Sequence, residues 1–299
     1  MRYRIRNLIY VIEDKFARMS AKYPKSERYD GYPFLSGDSY YFASRHRIRT
    51  IEDLMRLNVK NNSPFIFIEV ILIQSHWAEL ISILKRKGFI CGNLIIGESD
   101  VPPTEAQLIQ LNQFFKTVWC VNLPSEIAER VRNLPLGLES QRYRSAGQIR
   151  DFSPEPRYIG NRRKIGLLVA WNDSTNFDER LTTREMLRRS EETYEVKSRL
   201  NARTIHRLMR NSLMVACPPG NGLDTHRFWE SLYLGAIPVV LKRHTLPSWE
   251  LGTYFAVDSW DDVVKMNRRD MLEVYTGKVQ DLKKFRSVSQ DFLDTIRNS

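Results

Sequence analysis

The stretch CPPGNGLDTHRFWESLYLGAIPVVL, residues 217–241, sets a loop rich in proline and glycine between two apolar runs. The runs SLMVAC (212–217) and AIPVVL (236–241) have the length and composition of buried strands. Between them, residues 225–234 have a helical pattern that ends at Gly235. The stretch therefore predicts a strand, a glycine-rich loop, a helix and a second, parallel strand.

Strands and helices alternate through the rest of the chain as well. Strands are predicted over SPFIFIEVILI (63–73), the start of FICGNLIIGESD (89–100), VWCVNLP (118–124) and KIGLLVAW (164–171). Helices are predicted over SHWAELISILKRKG (75–88), PTEAQLIQLNQFFKT (103–117), a charged segment from Arg180, ARTIHRLMRN (202–211) and the tail LKKFRSVSQDFLDTIRNS (282–299). This alternation predicts an α/β protein with parallel sheets.

A polar segment over residues 140–162, with Pro154 and Pro156, interrupts the apolar pattern. We expect the domain boundary there, because domains meet in polar, proline-containing linkers. The prediction is two Rossmann-like domains, residues 1–150 and 151–299, with a terminal helix that can pack back on the first.

The charge balance limits the classes of partner. The chain of 299 residues has 46 Lys and Arg against 35 Asp and Glu, a net charge of +11. The excess is spread over both halves, so a nucleic-acid groove is not expected, whereas phosphorylated ligands and peripheral contact with an anionic membrane are. The opening MRYRIRNLIYVIEDKF is too short in its apolar part for a signal peptide or a membrane span, and predicts an amphipathic helix.

The three cysteines, Cys91, Cys120 and Cys217, form no CxxC pair, and the five histidines are scattered. No metal-ligand spacing is therefore present, and reduced thiols in the cytoplasm are expected. The chain also contains no Asp-x-Asp motif. We accordingly expect neither a metal nor another cofactor.

The loop and helix of residues 217–234 predict an anion site. Gly220 and Gly222 let the backbone approach a bulky ligand, and the following helix presents unpaired N–H groups. Asp224 or Thr225 is expected to cap that helix. In its first turn, Arg227 offers a planar cation for a phosphate.

Glu230 lies three residues beyond Arg227, so the two side chains project to neighbouring faces of the helix. The carboxylate of Glu230 can accept hydrogen bonds from the two hydroxyl groups of a ribose. The alternative is that the glycines only make a turn and that Arg227 and Glu230 form a surface ion pair.

The stretch 217–241 resembles the signature of exostosin-like glycosyltransferases of family 47, in which a proline-rich strand end, Gly-Asn-Gly, Asp-x-His-Arg, a Glu and Gly-x-Ile-Pro-Val occur in this order. Further similar segments are YPFLSGD (32–38), IIGESD (95–100), LPLGLE (134–139), IGLLVAWNDSTNFDER (165–180) and FAVDSWDDV (255–263). The helix and strand THRFWESLYLGAIPVV are also similar to the donor-binding motif of α1,3-fucosyltransferases, with Arg227 where that family has Lys. The chain looks most like the compact type found in bacteria and viruses.

The resemblance implies a GT-B fold, with two Rossmann-like domains whose parallel sheets face each other across a cleft. It implies a metal-independent transferase that moves a sugar from a nucleotide-diphosphate sugar, UDP- or GDP-linked, to a glycan or lipid-linked glycan acceptor. Surface polysaccharide or glycoconjugate synthesis is the expected context. Use of GDP-fucose is the alternative that the second similarity implies.

The resemblance also assigns residues. It implies that Glu230 binds the ribose and Arg227 the diphosphate, and that the rest of the donor site comes from two loops. These further donor-site residues are Asn176, Arg180, Gly220, Asn221, Gly222, Asp224 and His226.

An inverting transferase also needs a general base from the first domain. Asp38 of LSGDS and Asp100 of GESD are the expected candidates, although either can simply shape a turn. Glu69 and Glu139 are further carboxylates to test. A different class of function stays open, a non-catalytic protein on the same fold that binds a nucleotide or a polyanion. A dinucleotide oxidoreductase is not expected, because no GxGxxG follows a strand.

Overall fold

The structure is a computed structural model that describes residues 28–59, 64–88, 90–97, 101–123, 127, 131–142, 149–198 and 200–299. The amphipathic helix expected at the start of the chain lies outside the described residues. Within these ranges the chain forms two five-stranded parallel sheets with helices around them. The predicted α/β class with Rossmann-like parallel sheets is confirmed.

The first sheet has its strands side by side in the order in which they occur along the chain. These strands are β1 (His46–Ile48), β2 (Phe65–Glu69), β3 (Ile90–Gly97), β4 (Phe115–Cys120) and β5 (Arg132–Asn133). The helices of this half are α1 (Gly37–Ala43), α2 (Ile51–Arg56), α3 (Val70–Ser75), α4 (Trp77–Lys87) and α5 (Glu105–Leu111).

Two predictions in this half were wrong about where elements end. The strand predicted over 63–73 stops at Glu69, and the chain turns directly into α3. The helix predicted over 103–117 stops at Leu111, and Phe115 already begins β4. The first error arose because a continuous apolar run does not distinguish a buried strand from a buried helical turn. In the second, the predicted helix was extended through the polar residues Asn112 and Gln113, where the helix has already ended.

The strands of the second sheet are β6 (Ile165–Val169), β7 (Thr193–Glu195), β8 (Ser212–Ala216), β9 (Ile237–Leu241) and β10 (Phe255–Val257). They lie side by side in the order β7-β6-β8-β9-β10. Its helices are α6 (Phe177–Leu187), α7 (Ala202–Arg210), α8 (His226–Tyr233), α9 (Trp260–Val264) and α10 (Arg268–Arg297). The strand, loop, helix and strand predicted from residues 212–241 are confirmed as β8, α8 and β9.

Alternate side chains of the first sheet face two different cores. Ile66 and Ile68 of β2 belong to a cluster with α2, α4 and α5, whereas Phe65 and Phe67 belong to a cluster that continues into the second half. Successive side chains of a strand point to opposite faces, so this division follows from the sequence FIFIE. One face of the sheet is covered by its own helices, and the other is joined to the second half.

The last helix, α10, packs on both halves. It has 30 residues, which corresponds to a length of about 45 Å. Near its start, the Tyr275 hydroxyl donates to the carbonyl oxygen of Gly235 at 3.2 Å. Near its end, the ring of Phe292 lies 5.7 Å from that of Trp119 in β4, and the Ser299 hydroxyl accepts from the Phe65 N–H at 3.3 Å.

No helix in the described ranges is both long and apolar enough to cross a membrane. Cys120 and Cys217 are buried free thiols, and burial raises the pKa of each to about 12. The side chain of Cys91 lies outside the description.

The polar segment between the halves is anchored by one aromatic ring. Phe152 is fully buried, and its ring centroid lies 6.3 Å from that of Phe34, 6.5 Å from that of Tyr233 and 4.6 Å from that of His206. The segment around Phe152 is therefore packed into the core that both halves share.

Replacement of Phe152 by Ala removes this anchor, and we expect the free energy of unfolding to fall by about 3–5 kcal/mol because a large buried ring is lost. Urea unfolding followed by circular dichroism measures this change. The control is Phe177→Ala, since Phe177 is 60% exposed. Equal effects of the two substitutions would contradict the anchoring role of Phe152.

Candidate functional site

The strand order of the second sheet reverses at one point. Strand β6 pairs with β7 on one side and with β8 on the other, so that the order within this half is 2-1-3-4-5. At such a switch point the connections after the two central strands run to opposite faces of the sheet, and a crevice opens between them. The loops 170–176 after β6 and 217–225 after β8 form its walls. The glycine-rich loop therefore lies where ligands bind in open parallel sheets.

Arg180, on α6, joins these two loops. Its Nε donates to the carbonyl oxygen of Pro219 at 2.8 Å, and its Nη1 donates to that of Asn172 at 2.7 Å. The same Nη1 also donates to the hydroxyl of Thr175. These three hydrogen bonds fix the guanidinium against both walls of the crevice.

Arg180 forms no ion pair in the described part of the chain, and the nearby carboxylate of Asp173 is paired with Arg184. The side chain is buried, and all three acceptors are neutral. Burial lowers the pKa of Arg180 to about 10, with a further contribution from the charge of nearby Arg227. The guanidinium nevertheless stays protonated at neutral pH. Arg227 is itself paired with Glu230, so Arg180 is an unpaired cation at the switch point, and its field favours an anion.

Gly220 is the residue that permits this arrangement. A Cβ atom at Gly220 would lie 2.7 Å from Nη2 of Arg180, which is closer than a carbon atom can approach without displacing the guanidinium. The N–H of Gly220 donates to the carbonyl oxygen of Gly222 at 2.9 Å and closes the turn. Asn221 is exposed at the tip of this turn, and Asn176 is the N-cap residue of α6 on the opposite wall.

Arg227 and Glu230 form an ion pair, with 2.7 Å between Nη1 and Oε2. The pair is not on the surface, because the Glu230 side chain is only 7% exposed. Burial by itself raises the pKa of Glu230, but the charge of Arg227 and the contact with His206 outweigh it and lower the pKa to about 2. Glu230 is therefore an ionised hydrogen-bond acceptor at neutral pH.

The ion pair continues into a chain of charges that alternate in sign. Nε2 of His206 lies 3.7 Å from Oε1 of Glu230, and its Nδ1 lies 3.5 Å from Oδ2 of Asp151. His206 is buried, which alone would lower its pKa, but the contacts with Asp151 and Glu230 outweigh burial and raise it. The contact with His206 in turn lowers the pKa of Asp151.

Asp224 does not face the crevice. Its Oδ1 accepts from the indole N–H groups of Trp229 and Trp249, both at 2.9 Å, and its Oδ2 accepts from the Leu136 N–H at 2.9 Å. Burial raises the pKa of Asp224 to about 6, although the three hydrogen bonds act to lower it. The side-chain cap expected for α8 is absent, since Thr225 is the N-cap residue and makes no such bond.

Gly222 lies against the first half of the protein. A Cβ atom there would come within 2.3 Å of Nδ2 of Asn122, which follows β4 and has a positive φ of 58°. Oδ1 of Asn122 accepts from the Asp224 N–H at 2.6 Å. The glycine at position 222 thus allows close approach of another part of the protein.

His226 also contacts the first half. Its Nδ1 lies 2.8 Å from the carbonyl oxygen of Gly137, and its Nε2 lies 3.3 Å from Oε2 of Glu139. The His226 and Glu139 side chains are 27% and 29% exposed. This pair is therefore reachable from solvent, next to the first turn of α8.

The carboxylate of Asp38 is enclosed. It is fully buried in α1, and its Oδ2 accepts from the Ser140 hydroxyl and the Gln141 N–H, both at 2.9 Å, while Oδ1 lies 3.4 Å from a guanidinium nitrogen of Arg28. These contacts favour a role in holding the loop at residues 140–141. Asp100 lies outside the described residues.

Glu69, the other carboxylate at the end of a first-half strand, is held between two arginines. Its Oε1 lies 2.8 Å from Nη2 of Arg28 and 3.3 Å from Nε of Arg49. The structure therefore brings Glu139, but neither Asp38 nor Glu69, into contact with a residue of α8.

The sequence analysis did not predict a role for three residues of this region. His206 and Asp151 continue the charge chain from Glu230, and Asn122 holds the glycine-rich loop. A signal was available for Asn122, a polar residue within the predicted strand VWCVNLP, which ends at Cys120 in the structure. His206 stands at helical spacing among apolar residues, and such a position does not reveal its partners.

The charge chain predicts a pH effect on stability. Because the folded state raises the pKa of His206, protonated His206 stabilises the fold fully below its unfolded pKa of about 6.5, and this contribution is lost as the pH rises through the folded pKa. The difference in melting temperature between the wild type and His206→Gln should therefore be constant well below pH 6.5 and shrink as the pH rises above it. The control His76→Gln, at an exposed histidine, should show no such trend. A difference that grows with pH would contradict the assignment.

Within the described ranges, no three His, Cys, Asp or Glu side chains come together in a way that could hold a metal ion. Models of known protein families give no match to the chain, and curated proteins give no significant match. The resemblance to exostosin-like glycosyltransferases therefore rests on the motif residues alone, and its functional implications are hypotheses.

Proposed function

We propose that the protein is a metal-independent glycosyltransferase of the GT-B type, which moves a sugar from a UDP- or GDP-sugar to a hydroxyl group of a glycan or lipid-linked glycan. The observation that carries this proposal is the buried guanidinium of Arg180, which forms no ion pair among the described residues at the switch point of the second sheet. A diphosphate would supply the missing paired negative charge. Arg227 would add a second cation if the ligand took over part of its contact with Glu230.

The same cations suit the chemistry of transfer. When the bond between the anomeric carbon and the diphosphate oxygen breaks, the bond electrons leave with the diphosphate, and its negative charge increases. Cations that are already fixed in place stabilise such a charge without reorganisation. The three hydrogen bonds of Arg180 provide this fixation.

The remaining donor contacts follow from the walls of the crevice. We assign the ribose hydroxyl groups to Glu230, as the resemblance implies; they would replace contacts that its ionised carboxylate makes with Arg227 and His206. The first-turn N–H groups of α8, which have no side-chain cap, are suited to phosphate oxygens. Asn176 and Asn221 stand on opposite walls and are assigned to the phosphate or sugar side.

Nucleotide binding in the presence of EDTA tests the donor site. We expect one of UDP, GDP, CDP, ADP, dTDP or CMP at saturation to raise the melting temperature by roughly 5 °C. The rise should be lost in Glu230→Gln and in Arg180→Lys, each compared with its own ligand-free state. Arg188→Lys is the matched control, since Arg188 is on the same helix, half exposed and paired with Glu195.

No stabilisation by any nucleotide would overturn the donor site and favour a polyanion-binding protein. Stabilisation that survives in both Glu230→Gln and Arg180→Lys would place the nucleotide elsewhere.

Glu139 is the carboxylate that we propose as general base. Asp38 has no exposed oxygen, whereas Glu139 is partly exposed and contacts His226, one residue before Arg227. In an inverting reaction Glu139 would take the proton of the acceptor hydroxyl while that oxygen attacks the anomeric carbon and the diphosphate leaves. Nδ1 of His226 donates to the carbonyl oxygen of Gly137, which fixes the ring beside the Glu139 carboxylate.

The substitution Glu139→Gln should lower kcat by about 10²–10⁴-fold, as expected for the loss of a general base. Nucleotide affinity should stay unchanged, because Glu139 is outside the donor crevice. Glu69→Gln is the control, since that carboxylate is engaged by Arg28 and Arg49. Sugar transfer by Glu139→Gln at the wild-type rate would contradict this role.

A further inference from the structure

The edge of the first sheet at which its parallel strands begin carries a cluster of basic side chains. Parallel strands all begin at one edge of a sheet, and the helices that connect them end at that same edge. The ends of α2 and α4 and the starts of β1 and β4 therefore lie along one edge. Six exposed residues in these segments form what we call the basic edge: Arg45, Arg56, Lys85, Arg86, Lys87 and Lys116.

Acidic residues are excluded from the segments around the basic edge. The sequence has no Asp or Glu from residue 54 to 68, from 80 to 97 or from 112 to 125. In α2 and α4 the acidic side chains stand in the first turn and the basic ones in the last turn. The two ends of these helices thus differ in sign, and the potential at the basic edge is positive.

The exposed side chain of Met55 lies within the basic edge. Nζ of Lys87 donates to the carbonyl oxygens of Met55 and Leu57, both at 2.8 Å, and so holds the end of α4 against the end of α2. Met55 is 50% exposed. A partner with negative charge at its surface and an apolar layer beneath would engage the cations and this side chain together.

Helix stability accounts for only part of this arrangement. Cations near the end of a helix interact favourably with its last carbonyl groups, and four of the six basic residues stand in the last turns of α2 and α4. Arg45 precedes β1 and Lys116 is in β4, so neither lies at a helix end. The exclusion of acidic residues also extends over the starts of β2, β3 and β4.

We propose that the basic edge docks on an anionic lipid bilayer. Side chains along one edge of a sheet can face a flat surface together. The six cations would be attracted to anionic headgroups, and Met55 would enter the apolar layer below them. A nucleic acid or an acidic polysaccharide would pair with the cations but leave Met55 in water.

Docking by this edge leaves the candidate site accessible. Asn122 follows β4 at the opposite edge of the sheet, and there it contacts the glycine-rich loop. The switch-point crevice therefore lies at the end of the first sheet that faces away from the bilayer, where a soluble nucleotide can reach it. The docking surface goes beyond the proposed transferase function and does not depend on it.

Co-sedimentation of the full chain with lipid vesicles tests the proposal. We expect binding to a two-to-one mixture of phosphatidylcholine and phosphatidylglycerol, and none to phosphatidylcholine alone. Each basic residue near an anionic surface contributes about fivefold in affinity, so the double substitution Lys85→Gln and Arg86→Gln should weaken binding by about 25-fold. Met55→Ser should weaken vesicle binding by about threefold and leave binding to heparin unchanged.

The matched control is the double substitution Lys283→Gln and Lys284→Gln, which removes the same charge at exposed lysines of α10. Equal binding to both kinds of vesicle, binding to neither, or equal losses in the two double variants would overturn the proposal. Wild-type vesicle affinity in Met55→Ser would also overturn it and favour a soluble polyanion as the partner. The assay contains no nucleotide, so its failure would leave the transferase proposal standing.

Discussion

The buried guanidinium of Arg180 is the interaction on which the second half of the molecule is organised. A charge removed from water without a counter-ion costs several kcal/mol, and the protein compensates only in part, through two carbonyl oxygens and one hydroxyl group. Those acceptors come from the loops after β6 and β8, so the same side chain that carries the charge also sets the width of the crevice. Gly220 follows from this constraint, because any side chain at that position would displace the guanidinium. Binding of an anion in the crevice would offset the remaining free energy of burying the Arg180 charge.

A second constraint joins the two halves. The carboxylate of Asp224 accepts from two tryptophans of the second half and from the backbone of the first half. Asn122 and His226 add further polar contacts across the same boundary. These contacts are directional, so they hold the loop before α8 and the loops of the first half in one arrangement, which apolar packing alone would not specify. α10, which packs on both halves, adds to this connection.

Local patterns predicted much of the fold. The apolar runs, the helical spacing and Gly235 were sufficient for β8, α8 and β9, since each depends on neighbours in sequence. The error at Glu69 arose where an apolar run continues through a change of backbone conformation, and the error at Leu111 arose because the predicted helix was extended through Asn112 and Gln113 into β4.

The candidate site was predicted less completely, because its contacts join residues far apart in sequence. Gly222 indicated close approach, but its neighbour is Asn122, one hundred residues earlier. Asp224 stands on the expected loop, whereas Asp38 lies in the first turn of α1, and each carboxylate is engaged by the protein itself. Arg180 can contact the loops after β6 and β8 because these two strands are neighbours in the sheet. A local sequence pattern does not reveal which strands are neighbours.

Hydrogen–deuterium exchange with saturating UDP or GDP tests the central claim most directly, because it reports where a diphosphate acts on the backbone. If the switch point of the second sheet is the anion site, the amides of residues 172–180 and 218–228 become protected, and those of the turn at residues 247–251 do not. Protection confined to that turn, or none at nucleotide concentrations that saturate binding, would contradict the account.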